Sequence, residues 1–342
     1  MRRNLVSFIV VAAIGCAPVC LFGAPQVSTL ARLLVEKGYT PLTLKRAGNQ
    51  FYVSCKLNGR SANLVVDTGA GATFIGPGML RSLGVPLTKV EGNWYGFLGL
   101  AATSIDTGEI KDFQVGPYQA GANRVAASDF SSYGRAARSP SMDGILGIDF
   151  LHRHQAVIDC FRMHLFLKSP SAPPISATLS AGLRAGGCTE IPVHVVAHRG
   201  LTVPTRMNGR LGYLVVDTGM SNTLLSEHAI AGLNMRVAPL AGSGVVIFGS
   251  SVKFGIQDVG KNVSRVQRAY FDTMEIGNFS VPSQWVLVGD LPHSTDGGTG
   301  DVFFGYLGQD LLACYVGIID CAALKLFLRF DPVIDAVRRR KG

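Results

Sequence analysis

The segment LVVDTGAGAT at residues 64–73 decides the fold, because nearly the same segment returns as LVVDTGMSNT at residues 214–223. In each copy, three apolar residues of the kind found in buried strands lead directly into Asp-Thr-Gly. The repeat therefore predicts two equivalent aspartates, Asp67 and Asp217, each at the end of an apolar strand.

A second repeated block lies downstream of each copy. The segment GILGIDFLHRHQAVIDCFRMHLFLK, from Gly144, aligns with GYLGQDLLACYVGIIDCAALKLFLR, from Gly305. In this alignment Asp159 matches Asp320, and a cysteine follows both. A repeat of this length predicts two homologous lobes in one chain rather than a solenoid of short units.

Composition and turn signals favour β-structure. The 41 glycines stand beside runs of Val, Ile and Leu, and the Asn-Gly pairs at 58–59 and 208–209 are strong hairpin signals. The Gly-x-Asp triplets at 147–149 and 308–310 predict short helices with the aspartate as N-cap. We expect an all-β fold, mainly antiparallel with few short helices, whose two homologous lobes are related by a pseudo-two-fold axis.

Changes in composition along the chain predict six segments, with a stretch rich in proline and small residues between the lobes. They are 1–24 (signal peptide or N-terminal anchor), 25–44 (N-terminal extension), 45–168 (first lobe), 169–187 (linker), 188–332 (second lobe) and 333–342 (basic C-terminal tail).

The N-terminal segment has the pattern of a secretory signal. Arg2 and Arg3 precede an uncharged stretch from Leu5 to Ala24. The stretch is also nearly long enough to span a bilayer, although Pro18 weakens that interpretation. We therefore expect an exported protein, periplasmic or secreted, and the sequence leaves open whether this segment is released or keeps the protein at a membrane.

The charge does not indicate a nucleic-acid partner. The net charge is +9, but the basic residues are scattered, and their one dense run, at 338–341, is interpreted as a solvated tail. The 47% of hydrophobic residues also exceed what a disordered chain contains.

The cysteines and histidines do not indicate a metal. Loss of residues 1–24 would leave five cysteines, an odd number, with Cys314 and Cys321 as a plausible disulfide pair. His152 and His154 are two residues apart and would point to different faces of a helix, so we expect both on the surface. We expect neither a metal nor another cofactor.

Two aspartates that meet across two lobes are suited to one kind of chemistry. Two carboxyl groups about 3 Å apart cannot both ionise, so they share a proton and titrate as a pair. The ionised group can accept a proton from water while the protonated one polarises a carbonyl. Water can then attack an amide without a covalent intermediate.

The sequence resembles the retropepsin-like aspartic peptidases. The resemblance lies in Asp-Thr-Gly-Ala-x-x-Thr after two apolar residues and in the later apolar-apolar-Gly triplets at 145–147 and 306–308, and it covers about residues 45–330. It implies an aspartic endopeptidase that hydrolyses peptide bonds of a peptide or protein substrate. Because both lobes are in one chain, similar in topology to pepsin, it also implies a monomer.

The resemblance implies roles for particular residues. Asp67 and Asp217 would be the catalytic dyad, supported in their geometry by Thr68, Gly69, Thr218 and Gly219. Substrate contacts are expected from Ala70, Met220, Trp94 and Tyr95, with packing under a loop as the alternative for the two aromatic residues. Glycine-rich flaps are expected between about residues 90 and 109 and between about residues 241 and 268.

Met220 departs from the family pattern, because the first lobe has Ala70 there and the family generally has Ala, Ser or Thr. Neither position offers a hydroxyl to an ionised aspartate, so we expect a dyad that works at weakly acidic pH. The alternative function is a catalytically weak or inactive peptide-binding protein of the same fold. A third Asp-Thr-Gly, at 106–108, lacks the apolar strand and a matched partner, and is interpreted as a turn.

Overall fold

The computed structural model describes residues 29–47, 50–95, 101–129, 142–196, 200–239, 267–289, 291 and 302–339. This part of the chain consists mostly of strands with a few short helices, which confirms the expected all-β class. The expected signal or anchor segment lies outside the described residues. No helix among the described residues is long and apolar enough to cross a membrane.

The described helices are α1 Thr29–Glu36, α2 Pro77–Ser82, α3 Ile148–Arg153, α4 Ser176–Ala185, α5 Glu227–Ile230, α6 Gln309–Cys314 and α7 Pro332–Arg339. The strands up to the linker are β1 Thr40–Thr43, β2 Lys45–Ala47, β3 Gln50–Leu57, β4 Arg60–Val66, β5 Phe74–Ile75, β6 Thr88–Tyr95, β7 Ala101–Val115, β8 Tyr118–Ala127, β9 Gly144–Leu146, β10 Val157–Asp159 and β11 His164–Leu167.

The strands after the linker are β12 Thr189–Pro192, β13 His194–Val196, β14 Gly200–Met207, β15 Arg210–Val216, β16 Leu224–Ser226, β17 Arg236–Pro239, β18 Gln267–Phe271, β19 Met274–Ile276, β20 Phe279–Val281, β21 Gln284–Gly289, β22 Phe303–Leu307, β23 Ile318–Asp320 and β24 Lys325–Leu328.

The first lobe is built on an eight-stranded sheet with the order β2-β3-β4-β9-β5-β8-β7-β6. Asn58 and Gly59 both have positive φ, as a tight hairpin turn requires, and they join β3 to the apolar strand β4. Strand β4 also pairs in parallel with β9. The strand that ends at Asp67 is therefore held on both sides, with Leu64, Val65 and Val66 fully buried.

The second lobe repeats this arrangement in a ten-stranded sheet. Strand β15, which leads directly into Asp217, lies between β14, paired antiparallel, and β22, paired in parallel. Asn208 and Gly209 form the corresponding positive-φ turn. The same local pattern thus produces the same strand-end aspartate in both lobes.

A third sheet joins the lobes, with the order β1-β11-β10-β23-β24-β12. At its centre β10 pairs antiparallel with β23, and Ile158 lies opposite Ile319, its own counterpart in the repeat. A residue that faces its own counterpart lies on a two-fold axis, which confirms the expected pseudo-symmetry. One face of this sheet packs on the core of the lobes, and helices α1 and α4 cover the other.

The sheet also contains segments expected outside the lobes. Strand β1, in the expected N-terminal extension, pairs with β11. The expected linker contains α4, whose Leu179 and Leu183 are buried in the same cluster as Leu34 of α1. The expected basic tail contains most of α7.

Four expectations are wrong in the structure. The first is the turn expected at the Asp-Thr-Gly of residues 106–108. This segment does not form a turn but lies inside β7, with Thr107 paired to Thr88 on one side and Ala126 on the other. Asp106 is exposed while Ile105 and Thr107 are buried, which is the alternation of a half-buried strand. Strand pairing on both sides therefore overrides the local turn signal.

The predicted helix caps are the second error. The N-caps of α3 and α6 are Gly147 and Gly308, and neither forms a side-chain capping bond. Asp149 and Asp310 stand inside the first turn and accept hydrogen bonds from the side chains of Thr73 and Thr223, at 2.7 Å in both cases. Both aspartates thus bind the threonines that follow the Asp-Thr-Gly segments and do not act as N-caps.

The remaining two errors concern burial and a disulfide. His152 is exposed as expected, but His154 is only 2% exposed and packs on the Phe150 ring with centroids 4.2 Å apart. Cys321 is a fully buried free thiol, so the expected pair with Cys314 does not form. A buried cysteine of this kind acts as a small apolar residue.

Candidate active site

Asp67 and Asp217 meet where the two lobes join. Each residue is 3% exposed, and a side-chain hydrogen bond links the two carboxyl groups. A methyl group added to Gly69 would lie 2.6 Å from both Cγ and Oδ2 of Asp217, so the first loop touches the carboxyl group of the second. Glycine is required there because only a residue without Cβ permits this approach.

The backbone of each loop fixes one oxygen of its own aspartate. Oδ1 of Asp67 accepts hydrogen bonds from the amides of Gly69 and Ala70, at 2.8 and 3.1 Å. Oδ1 of Asp217 accepts them from the amides of Gly219 and Met220, at 2.8 and 2.9 Å. Both carboxyl groups are therefore oriented before any substrate binds.

The environment of Asp217 favours its protonated form. Burial, the charge of Asp67 and the hydrogen bond between the two side chains raise the pKa of Asp217 well above its ordinary value, and the amides of Gly219 and Met220 lower it by less. A carboxyl group that keeps its proton in this way can donate a hydrogen bond to a substrate oxygen.

Thr68 and Thr218 hold the two loops together. Each hydroxyl donates to the carbonyl that precedes the other lobe's aspartate, Thr68 to Val216 at 2.6 Å and Thr218 to Val66 at 2.8 Å. Each hydroxyl also accepts from the amide of the other threonine, at 3.1 and 3.2 Å. Both residues are fully buried, so the dyad spacing depends on these four bonds.

The Thr–Asp contacts behind the loops are supporting features that the sequence interpretation missed. The Thr73 hydroxyl accepts from the Gly147 amide at 3.1 Å and donates to Asp149, and Thr223 makes the same contacts with Gly308 and Asp310. They connect each Asp-Thr-Gly loop to the apolar-apolar-Gly strand beside it. Their sequence signal was a threonine and an aspartate at matching places in both repeats.

Two glutamines break the symmetry around the second loop. The Gln50 amide group reaches from the first lobe to donate to the Gly219 carbonyl at 3.1 Å, and Tyr52 donates to its oxygen at 3.0 Å. Gln309 donates to the Thr218 carbonyl. The corresponding residues on the other side, Gly200 and Ile148, offer no such groups, and no repeat pattern could have pointed to the glutamines.

Of the expected substrate-contacting residues, Ala70 and Met220 lie beside the dyad. Ala70 is partly exposed, whereas Met220 is 1% exposed. Trp94 and Tyr95 lie on the backbone of β6, opposite Ala102 and Ala101 of β7, in the hairpin where the first flap was expected. Residues 96–100 of this flap and residues 240–266, most of the second, lie outside the described residues.

Within the described ranges, no group of three His, Cys, Asp or Glu side chains is placed to hold a metal ion. The arrangement provides two linked carboxyl groups, one oxygen of each fixed by amides, with an environment that stabilises one shared proton. This constellation can activate a water and protonate an oxygen at the same time.

Comparisons with known proteins place part of the chain in one family of proteins. Residues 53–150 match the family model described as Aspartyl protease. No curated protein matches the chain significantly. The chain is similar to the structure of a retropepsin-like aspartic protease from Rickettsia conorii, with 16% identity and a TM-score of 0.28 over 39% of this chain and 91% of that one. It is also similar to an aspartic proteinase from Irpex lacteus, with 15% identity and a TM-score of 0.47 over 87% and 99%.

Proposed function

We propose that the chain is a retropepsin-like aspartic endopeptidase with Asp67 and Asp217 as its dyad, a proposal supported by the family match over residues 53–150 and by the two-lobed all-β fold. Peptide hydrolysis would need one carboxyl group from each lobe, because one group cannot accept and donate a proton in the same step.

In the proposed mechanism Asp217 begins protonated and Asp67 ionised. Asp67 accepts a proton from a water, and the water oxygen bonds to the carbonyl carbon of the peptide. Asp217 gives its proton to the carbonyl oxygen, which produces a tetrahedral diol. Asp67 then gives its proton to the amide nitrogen, the C–N bond breaks, and a diol hydroxyl returns its proton to Asp217, so that an acid and an amine leave and the dyad is restored.

The shared environment of the two carboxyl groups is the observation that carries the proposal. Both carboxyl groups are buried, joined by a hydrogen bond and oriented by the amides of their own loops, and the pKa of Asp217 is raised. An aspartate pair with a purely structural role would cost stability in this position, because burial and the neighbouring negative charge both penalise ionisation of the second carboxyl group.

A peptide library tests the proposal. The parent chain and the variants Asp67→Asn and Asp217→Asn are incubated with it between pH 3 and 7, with and without pepstatin, and the products are identified by mass spectrometry. Asp106→Asn is the matched control, because it alters the same tripeptide at an exposed site in β7. Cleavage by the parent and the control, and none by the dyad variants, is the expected result.

Two outcomes would contradict it. Cleavage that survives in both dyad variants would exclude the dyad, and a parent that binds peptides but cleaves none at any pH would favour the peptide-binding alternative.

The location and oligomeric state are proposed from the sequence. The pattern of residues 2–24 supports export, with or without retention at a membrane, and two lobes in one chain support a monomer. N-terminal sequencing of the protein from its natural host, and sedimentation of the purified chain, would test these proposals.

A further inference from the structure

We propose that the cleft is polarised, so that a bulky apolar side chain of the substrate binds on the Gly69 side of the dyad and only a small one on the Gly219 side. This inference rests on the proposed peptidase function. It concerns the residues that break the two-fold symmetry, because a fully symmetric cleft would treat both sides of the scissile bond alike.

The residue after each Asp-Thr-Gly differs in size and burial. On the first loop Ala70 is partly exposed, as are Gly69 and Ala72. On the second loop Met220 is buried, and it packs in a cluster with Leu224 and Leu291. The methionine therefore fills space beside Asp217 that the shorter side chain of Ala70 cannot fill beside Asp67.

A second pair of corresponding residues also differs in size, again with the larger residue beside the second loop. Beside Gly219 lies Gln50, 4% exposed, whose amide group bonds to the Gly219 carbonyl. Its counterpart beside Gly69 is Gly200, which has no side chain and whose backbone lies directly against the first loop, since a methyl group on it would lie 2.2 Å from the Thr68 carbonyl oxygen. Two large side chains thus adjoin the second loop, while the first loop has the methyl group of Ala70 and the backbone of Gly200 beside it.

The partly buried neighbours of Met220 extend the same difference. The side chains packed against its cluster are Leu287, Phe303 and Tyr306, and Phe303 and Tyr306 make an edge-to-face contact with centroids 5.3 Å apart. Their counterparts in the first-lobe repeat, Ala126, Met142 and Ile145, each have a smaller side chain. Close-packed side chains leave little volume for a ligand, so the second-lobe side accepts less of a substrate residue.

Two isomeric peptides measure the polarity directly. They have the same flanking residues, with Phe-Ala across the central bond in one and Ala-Phe in the other. We expect the parent to favour one order in kcat/KM by about tenfold or more, since each methylene in an apolar pocket changes discrimination by about that factor. Met220→Ala is expected to raise kcat/KM for the disfavoured order, and Ala70→Met to lower it for the favoured one.

The exchange variant Ala70→Met/Met220→Ala is the sharpest test, because it is expected to reverse the preference. Met220→Leu is the matched control, since it keeps the side-chain volume and should keep the preference. Ala70→Met places its larger side chain at a partly exposed position, so its result is informative even if loss of the buried Met220 side chain prevents folding. Thermal unfolding shows which variants are folded.

Binding of uncleavable analogues separates this inference from the proposed activity. Each isomer is prepared with a reduced CH₂–NH central bond and titrated by calorimetry into the parent and the variants. If the protein binds one analogue selectively but cleaves neither isomeric peptide, the proposed polarity of the cleft stands and the proposed peptidase function is rejected. Three results would overturn the proposed polarity of the cleft. They are cleavage of both orders with equal kcat/KM, a preference that neither single variant changes, and no binding of either analogue.

Discussion

Thr68 and Thr218 exchange hydrogen bonds in both directions, each as donor to the backbone before the other's aspartate and as acceptor from the other's amide. The two residues are 150 positions apart in the chain, yet both are fully buried in the same contact. The separation of the two carboxyl groups is therefore fixed by the pairing of the loops and not by either lobe alone.

Thr68→Val should weaken this contact without changing the shape of the side chain. The Val216 carbonyl and the Thr218 amide would lose their buried partners, at a cost of about 1–3 kcal/mol each in the free energy of unfolding. Urea unfolding measures the loss. Thr68→Ser keeps the hydroxyl and should restore most of the stability, and equal stability of the Val and Ser variants would contradict the role of these bonds.

Asp217→Asn should abolish cleavage and stabilise the fold at neutral pH. The folded state raises the pKa of Asp217, so the stability that its protonated form provides is fully present below the unfolded-state pKa and lost as pH rises through the folded-state pKa. Asparagine stays neutral, keeps an oxygen for the Gly219 and Met220 amides, and offers an N–H to Asp67.

Thermal unfolding from pH 3 to 8 tests the sign of this effect. The Asn variant should unfold at a higher temperature than the parent at pH 7, and the difference should shrink as the pH falls. Asp106→Asn should follow the parent throughout, and a variant less stable than the parent at pH 7 would refute the expectation.

The pH–rate profile of kcat/KM should be bell-shaped, because activity needs one proton shared by the dyad. Activity falls in acid when the dyad takes up a second proton and falls again when the shared proton is lost. The raised pKa of Asp217 shifts the loss of activity on the alkaline side to higher pH, so we expect an optimum at weakly acidic pH. A profile that peaks below about pH 3 would contradict this expectation.

Gly69→Ala should inactivate the enzyme while leaving its lobes folded. The added methyl group would meet Asp217 at 2.6 Å and push the carboxyl groups apart, and a displacement of about 1 Å can cost about 100-fold in rate. The control is Gly78→Ala in α2, where a methyl group meets nothing within 4 Å and should leave kcat/KM unchanged. Circular dichroism would verify the fold, and full activity of the Gly69 variant would be incompatible with the described contact.

His154 should limit the stability of the protein in acid. Burial, with a smaller contribution from Arg153, lowers the pKa of His154 to about 4, and its ring lies against Phe150, Tyr118 and Asn123. Its neutral form contributes stability that is fully present above the unfolded-state pKa of about 6.5 and lost as pH falls toward 4. The total is about 3 kcal/mol, since one pKa unit corresponds to about 1.4 kcal/mol.

His154→Gln should therefore flatten the dependence of unfolding free energy on pH between 6.5 and 4. The matched control is His152→Gln, two residues away on the exposed side of α3, which should retain the slope of the parent. If the slope of the His154 variant equals that of the control, the histidine does not govern this pH range.

The sequence could predict the strands that end at Asp67 and Asp217 because apolar runs and Asn-Gly turns are local signals, and because each was present twice. The paired threonines followed from the resemblance. By contrast, the burial of His154 and the contact of Gln50 with Gly219 depend on which surfaces meet after folding. A single polar residue carries no periodic signal of such a partner.

The third Asp-Thr-Gly is an example of a local signal that misled the sequence prediction. Its local chemistry favours a turn, but pairing with β6 and β8 extends the strand through it. Gly108 is useful there for another reason, because a methyl group on it would lie 2.6 Å from Val85. Tertiary packing thus chose between two structures that the tripeptide alone permits.

The central pairing of β10 with β23 has a consequence for synthesis on the ribosome. Strand β10 leaves the ribosome about 160 residues before β23, so the first lobe emerges with an open sheet edge that carries Ile158. Because Ile158 pairs with its own counterpart, the edge of a neighbouring nascent chain is nearly as good a partner as the correct one. We therefore expect newly made first lobes to be prone to pairing with one another until translation delivers the second half.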